Sequence, residues 1–394
     1  MTAAGARGGR REQIDGLRVI AMTGVLYVHY WNEHPTLESV RVSLFFIVSG
    51  FLIGVILLSA KDSGATVKVA NFYIRRALRL LPALFLMLAV AALFNMDRIR
   101  ESLPWHLFQM SSLYFAMNAS WKPWIVANLW SLNIVEQFYL AAPLIILLLT
   151  RRQICVAYCI IFAISAIART YHDQLGLSAW SSIVFAFDPV AAGVILAMAK
   201  DNIDVRAVLT SKLNNLASVA IIASPFLIGF EFGRSEGYRL LCIYALSSIV
   251  LSSYIGYRGV SARLLANPLT RFLSRVSYAT YVYHLVLWWL VAEQWPMFYE
   301  KGPLTFLVMS AVTVLVATVS WHVMERHFDA LKAWFPVTPQ APRAGEPAPA
   351  VAHLIKPAAP VAGNVASVPA SPTPATATAV SRVPEREPRA YHSA

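Results

Sequence analysis

The chain has 394 residues, 57% of them apolar and 14% charged, and 33 Lys and Arg against 21 Asp and Glu give a formal charge of +12. Its mean hydropathy is +0.55. Soluble domains run nearer half apolar and a quarter charged, so an ordinary soluble protein is excluded and an all-α polytopic membrane protein is implied. At ~20 residues per crossing, ten helices take roughly 200 residues and leave no room for a separate soluble catalytic domain.

Apolar runs between charged punctuation predict spans near 14–32, 40–59, 77–95, 128–149, 153–169, 180–199, 216–233, 238–256, 277–295 and 303–324. With the N-terminus inside, the inner segments hold eighteen Lys and Arg and the outer loops six, from Arg98 to Lys301. That bias puts both termini in the cytoplasm and makes the +12 loop charge, not a nucleic-acid surface. No cleavable signal peptide is expected before the first span, whose apolar stretch carries polar residues and lacks a small-residue cleavage site. The expected organisation is a basic N-terminus over 1–13, a ten-helix membrane domain over 14–335 and a tail over 336–394. Twelve of the 22 prolines fall in the last 59 residues, and that Pro/Ala-rich composition predicts disorder. The three cysteines, Cys155, Cys159 and Cys242, lie in apolar runs and read as packing residues, and no metal site is expected.

An ionisable side chain in a span costs at least ~2.5–3.5 kcal/mol, so each asks for a reason. In the first span Arg18 and His29 are eleven residues apart. That is three turns plus about 20°, so they share a face at levels roughly 16 Å apart, His29 in the outer half. Asp15 is one turn from Arg18 and can pair with it. His29 can exchange a proton near neutral pH; the alternative is a histidine hydrogen-bonded within the bundle. At the third span, Arg75, Arg76 and Arg79 share one turn; taken alone they read first as a topology anchor among lipid headgroups, and their guanidinium forks also suit a phosphate. In the fourth span Glu136 lies roughly 12 Å from the outer end, near the depth of His29. It reads as the carboxylate that fixes the imidazole tautomer, or as a counter-ion for an interior Arg. Ser277, Tyr281 and His284 form an i, i+4, i+7 stripe in the inner half of the ninth span, and His106, His172, His322 and His327 show no ligand spacing.

These motifs resemble those of the membrane acyltransferase-3 family of bacterial sugar O-acyltransferases. Ile14-Asp15-Gly16-Leu17-Arg18 running to His29 is similar to its opening motif, and Ser43 to Ile53 to its second-helix signature. Arg76 and Arg79 match its Arg-x-x-Arg element, Trp130 to Tyr139 its glutamate segment, and Ser277 to His284 and Glu325 to Phe328 its closing motifs. The resemblance spans 14–328 and implies His29 and Glu136 as catalytic residues. With the donor class it implies, Arg18, Arg75, Arg76 and Arg79 are the expected contacts for an acyl-CoA donor, and Asp15, Ser131, Tyr139, Tyr281 and His284 the expected substrate contacts. Ser43 stands where the family often has an acid, so no carboxylate role carries over to that position.

The expected function is therefore O-acylation, most simply O-acetylation, in the bacterial inner membrane. Acyl-CoA is the donor and no permanently bound cofactor is expected. The acceptor is a hydroxyl of exopolysaccharide, lipopolysaccharide, lipo-oligosaccharide or a lipid-linked precursor, with glycan biosynthesis machinery as a further partner. A transporter or flippase is the rival reading; it calls for repeat symmetry and broken helices at matching positions, which the sequence does not display.

Overall fold

A computed structural model describes residues 3–64, 68–176, 180, 184–229, 233 and 235–337. The disorder expected for the tail concerns residues that, from 338 onward, lie outside this set.

Among the described residues ten principal helices follow the expected spans: α1 Ala3–Tyr30, α2 Pro35–Asp62, α3 Val69–Leu93, α4 Leu129–Leu148, α5 Arg151–Thr170, α6 Asp188–Ala199, α7 Lys212–Ile228, α8 Glu236–Ile255, α9 Pro268–Gln294 and α10 Pro303–Ser320. Their starts follow local chemistry. Pro35 and Pro268 sit in first turns, where a missing N–H costs nothing. Capping boxes open α5 (Thr150, Gln153) and α9 (Asn267, Thr270).

Among the described residues six segments are long and apolar enough to cross a membrane, namely α2, α3, Trp124–Leu148, α5, α8 and Pro303–Trp334; a seventh is added if Ile203–Leu209 and α7, bent by 55°, form one broken span. The protein is multi-pass on this count. α1 and α9 have the length but also carry the polar site residues. The span expected at 180–199 is corrected: α6 has only 12 residues, about 18 Å, short of a crossing. It is instead pressed into α2. A Cβ at Gly193 would stand 2.3 Å from the Ile47 carbonyl oxygen, and one at Gly50 2.1 Å from that of Val190. Small residues let the two backbones meet, as is usual where apolar solvent gives helices no hydrophobic drive to associate. Outward faces of α5, α7 and α10 are apolar and exposed, including Ile160, Ile164, Leu216, Leu227, Leu307 and Leu315, as lipid contact requires.

Between α3 and α4 the chain makes short helical turns. His106 lies fully buried there, Nε2 3.0 Å from Ser102 Oγ and Nδ1 2.9 Å from Ser111 Oγ. At the other end of the bundle the C-terminal run folds back on α3: Asn71 Nδ2 donates to the Pro336 carbonyl (2.8 Å) and the Lys68 N–H to that of Val337 (3.0 Å). Pro336 and Val337, assigned to the tail from composition, thus have defined contacts.

Candidate active site

A cavity of about 550 Å³ runs inside the bundle between α1, α2, α3, α4 and α9. Arg18, Arg76, Arg79 and Tyr139 line it at one end, and Arg41, Ser131 and Tyr281 at the other; Val25, Phe45, Val48 and Leu132 help make the apolar wall between. Along α1, Val25 is one turn short of His29, so the cavity leads from Arg18 towards the histidine.

At the Arg18 end, Arg18 Nη1 is 3.5 Å from Asp15 Oδ1. The Arg76 guanidinium lies over the Tyr139 ring at 4.9 Å and the Phe72 ring at 5.4 Å. Arg79 lines the cavity with no hydrogen-bond or ion-pair partner among the described residues, and its charged neighbours are Arg18, Lys332 and the buried Glu325. Glu325 is turned inward by a π turn, Trp321–Glu325, and accepts from Ser320 Oγ at 2.7 Å. Arg75 departs from the expectation. Its guanidinium donates to the carbonyls of Lys332 and Phe335, the latter at 3.4 Å, and it does not line the cavity. One residue along a helix turns a side chain by about 100°, enough to send Arg75 to the C-terminal run while Arg76 faces inward.

At the other end stands His29, half-buried, its Nε2 3.4 Å from Arg41 Nη2. A guanidinium only donates, so this Nε2 is the acceptor and the neutral ring carries its proton on Nδ1. Glu38 pairs with Arg41 and holds it there. His284 lies beside His29, ring centroids 5.0 Å apart. Its Nδ1 donates to the Tyr281 carbonyl at 2.6 Å, which fixes the tautomer and leaves Nε2 a lone-pair acceptor with no partner among the described residues. The same carbonyl takes Asn128 Nδ2 at 2.7 Å, and the Tyr281 hydroxyl is 2.5 Å from Ser131 Oγ. Tyr30 OH donates to the His284 carbonyl (2.8 Å) and meets Thr313 Oγ1 (2.9 Å), tying the end of α1 to α9 and α10.

Two sequence expectations are revised. His284 was assigned to the inner half and His29 to the outer, yet the two rings are adjacent. The reason is the length of α9, which starts at Pro268, nine residues before the expected span. Glu136 is not brought to His29, whose titratable neighbours are His284, Arg41 and Lys301. It lies instead near Tyr278, six residues before His284 on α9. The fourth crossing begins at Trp124, which puts Glu136 about 18 Å along it. Glu38, the acid paired with Arg41 beside His29, was missed; its signal was the Glu38-x-x-Arg41 spacing at the mouth of an apolar helix.

Residues 11–322 match the family Acyl_transf_3, described as an acyltransferase domain. The chain belongs to the acyltransferase-3 family. Among curated proteins, this acyltransferase-3 member is 27% identical over 367 residues to a provisionally named O-acetyltransferase of Staphylococcus aureus (strain COL), covering 82% of this chain and 58% of that protein. It is 33% identical over 147 residues to the peptidoglycan O-acetyltransferase OatA of Listeria monocytogenes, covering 34% of this chain and 24% of OatA. To the provisionally named peptidoglycan O-acetyltransferase YrhL of Bacillus subtilis it is 34% identical over 144 residues, covering 33% and 23%. The acyltransferase-3 chain thus spans little more than half the length of the staphylococcal relative. No solved structure matches it.

Proposed function

We propose that this chain is an O-acyltransferase of the bacterial inner membrane, moving acetyl or a similar short acyl group from cytoplasmic acyl-CoA to a hydroxyl on a cell-surface glycan or its lipid-linked precursor. Exopolysaccharide, lipopolysaccharide and lipo-oligosaccharide are acceptors in this reading, and the names of the listerial and bacillar relatives add peptidoglycan. The observation that carries it is the cavity joining the Arg18, Arg76 and Arg79 cluster to Arg41 beside His29. Three guanidiniums at one mouth, Arg79 without a protein partner, suit the phosphates of CoA. The apolar wall suits its uncharged arm, and the thioester then comes to rest under His29. In this reading the inner-side charge excess makes the Arg18 end cytoplasmic.

The transfer needs only groups already at that end. His29 Nε2 takes the proton of the acceptor hydroxyl as its oxygen attacks the thioester carbonyl. Arg41, held by Glu38, faces the charge that develops on the carbonyl oxygen. Collapse breaks the C–S bond, and the CoA thiolate recovers the proton from the imidazolium. In this reading the unpartnered Nε2 of His284 accepts from His29 Nδ1, which orients the ring and supports its positive charge. Purified protein in liposomes, given labelled acetyl-CoA inside and glycan outside, tests the scheme. We expect His29→Ala to insert at normal abundance and lose transfer by about a hundredfold or more, the range of general-base catalysis; near wild-type transfer would remove His29 from the mechanism.

A further inference from the structure

Near His29, α2 presents two lined faces. Arg41, Phe45, Val48 and Leu52 look into the cavity described above. Pro35, Glu38, Ser39, Ser43 and Phe46, spaced by one, three and four residues, form a different face that lines a second cavity of about 190 Å³. Its other walls are Trp130 of α4, Arg169 of α5 and Arg239 of α8. Arg239 is 5% exposed. Its Nε donates to Glu236 at 2.5 Å, its Nη1 pairs with the fully buried Asp188, and its Nη2 has no hydrogen-bond partner among the described residues. In the same ion pair Asp188 Oδ1 is also without a hydrogen-bond partner among the described residues; a buried donor left unpaired is rare and costly, and Arg239 lines the cavity that could bring an acceptor to it.

We propose that this second cavity binds one sugar ring of the acceptor, with Arg239 Nη2 donating to a ring oxygen or hydroxyl, Glu38 accepting from another hydroxyl and the Trp130 ring covering the apolar face. The proposal rests on the acyl-transfer reading for the word acceptor, but not for the sugar itself. Charge selects a neutral polyhydroxyl ligand over a phosphate: Arg41, Arg169 and Arg239 are matched by Glu38, Glu236 and Asp188, leaving no cationic excess. The volume admits a single monosaccharide and excludes a CoA. An aromatic path leads outward from Trp130, since Trp121 is exposed, 6.5 Å from Trp130 and 4.9 Å from Trp180 by ring centroid, and flat aromatic faces with one wet edge suit sugars passing in from water. Glu38 belongs to this cavity and pairs with Arg41, which reaches both the donor cavity and His29. A ring seated against Glu38 is therefore one ion pair away from the histidine.

The experiment uses the full-length protein in detergent and saturation-transfer NMR with the methyl glycosides of glucose and N-acetylglucosamine as probes. Ser43→Met and Ser39→Leu fill the cavity from the α2 side without touching its charges, and two independent positions guard against one variant failing to fold. Wild type should give saturation transfer to at least one glycoside, and both variants should weaken it about tenfold, the loss of 1.4 kcal/mol. Arg79→Ala, at the far end of the other cavity, should keep the sugar signal. No signal from wild type, a signal unchanged by both fillings, or displacement of the sugar by inorganic phosphate would each overturn the proposal. A normal sugar signal in a protein that transfers nothing from acetyl-CoA would instead overturn the acyl-transfer reading and leave the sugar site standing.

Discussion

Arg75, Arg76 and Arg79 share one helical turn but have separate work, and substitution should separate them. Arg79→Ala is expected to raise the apparent KM for acyl-CoA about tenfold or more, the worth of a hydrogen bond to a charged group. Arg79→Lys should recover only part, because an ammonium lacks the bidentate fork. Arg75→Ala should leave that KM within about twofold and lower the melting temperature, since its guanidinium serves the carbonyls of Lys332 and Phe335. Steady-state kinetics beside thermal unfolding decides it; an equal KM rise in both alanine variants would return Arg75 to the donor site. His106 carries a different expectation. Outside the spans and fully buried, its imidazole is pushed down to about 4 by burial. The unfolded chain then binds more protons between about pH 4 and pH 6.5, so stability is complete above 6.5 and falls as pH drops towards 4, by roughly 3 kcal/mol in all. His106→Gln should flatten that slope in unfolding measured across the range, and an unchanged slope would assign the acid sensitivity elsewhere. At this scale the sequence revealed most of the cationic end, because each charge in an apolar run is conspicuous on its own. Glu38 and Arg41 escaped notice because they sit where a helix leaves the membrane and charge is ordinary.

Helix α2 is the element on which the site depends. Its two cavity faces are fixed by how closely α6 lies against its remaining side, and that closeness requires glycine. Gly193→Ala would put a methyl 2.3 Å from a backbone oxygen, where no side chain can yield. The helices must part, at about 1–3 kcal/mol. Gly237→Ala on α8, with nothing within 4 Å of the added methyl, is the matched control. Thermal unfolding in detergent should separate the two variants, and equal melting temperatures would mean that α6 is not held by this contact. Helix existence was legible from apolar runs, because a lipid-facing helix must announce itself residue by residue. Helix length was not. The first turns of α9 carry Arg271 and Arg275 and read as loop from hydropathy, and that error alone separated His284 from His29. The 12-residue α6 read as a crossing for the opposite reason: it is apolar because other helices, more than lipid, surround it.

For the whole molecule, the boundary between bundle and tail can be tested by truncation. A chain ending at Val337 keeps the carbonyls of Phe335, Pro336 and Val337, which accept from Arg75, Asn71 and Lys68. One ending at Trp334 loses all three, at about 0.5–1.5 kcal/mol each. The first should match the full chain in activity and melting temperature, and the second should melt lower; identical melting curves would mean that the C-terminal run contributes nothing to α3. The larger cavity has one further property at this scale. Among the described residues lining it, Arg18, Arg41, Arg76 and Arg79 are cationic and none is acidic. A passage that admitted a large anion across much of a membrane, as the proposed function requires, would also be a hazard to the ion gradients that membrane maintains. Four fixed positive charges along its walls would repel hydronium and metal cations while attracting phosphate, so under the proposed function the residues that draw in the donor would also keep small cations from crossing.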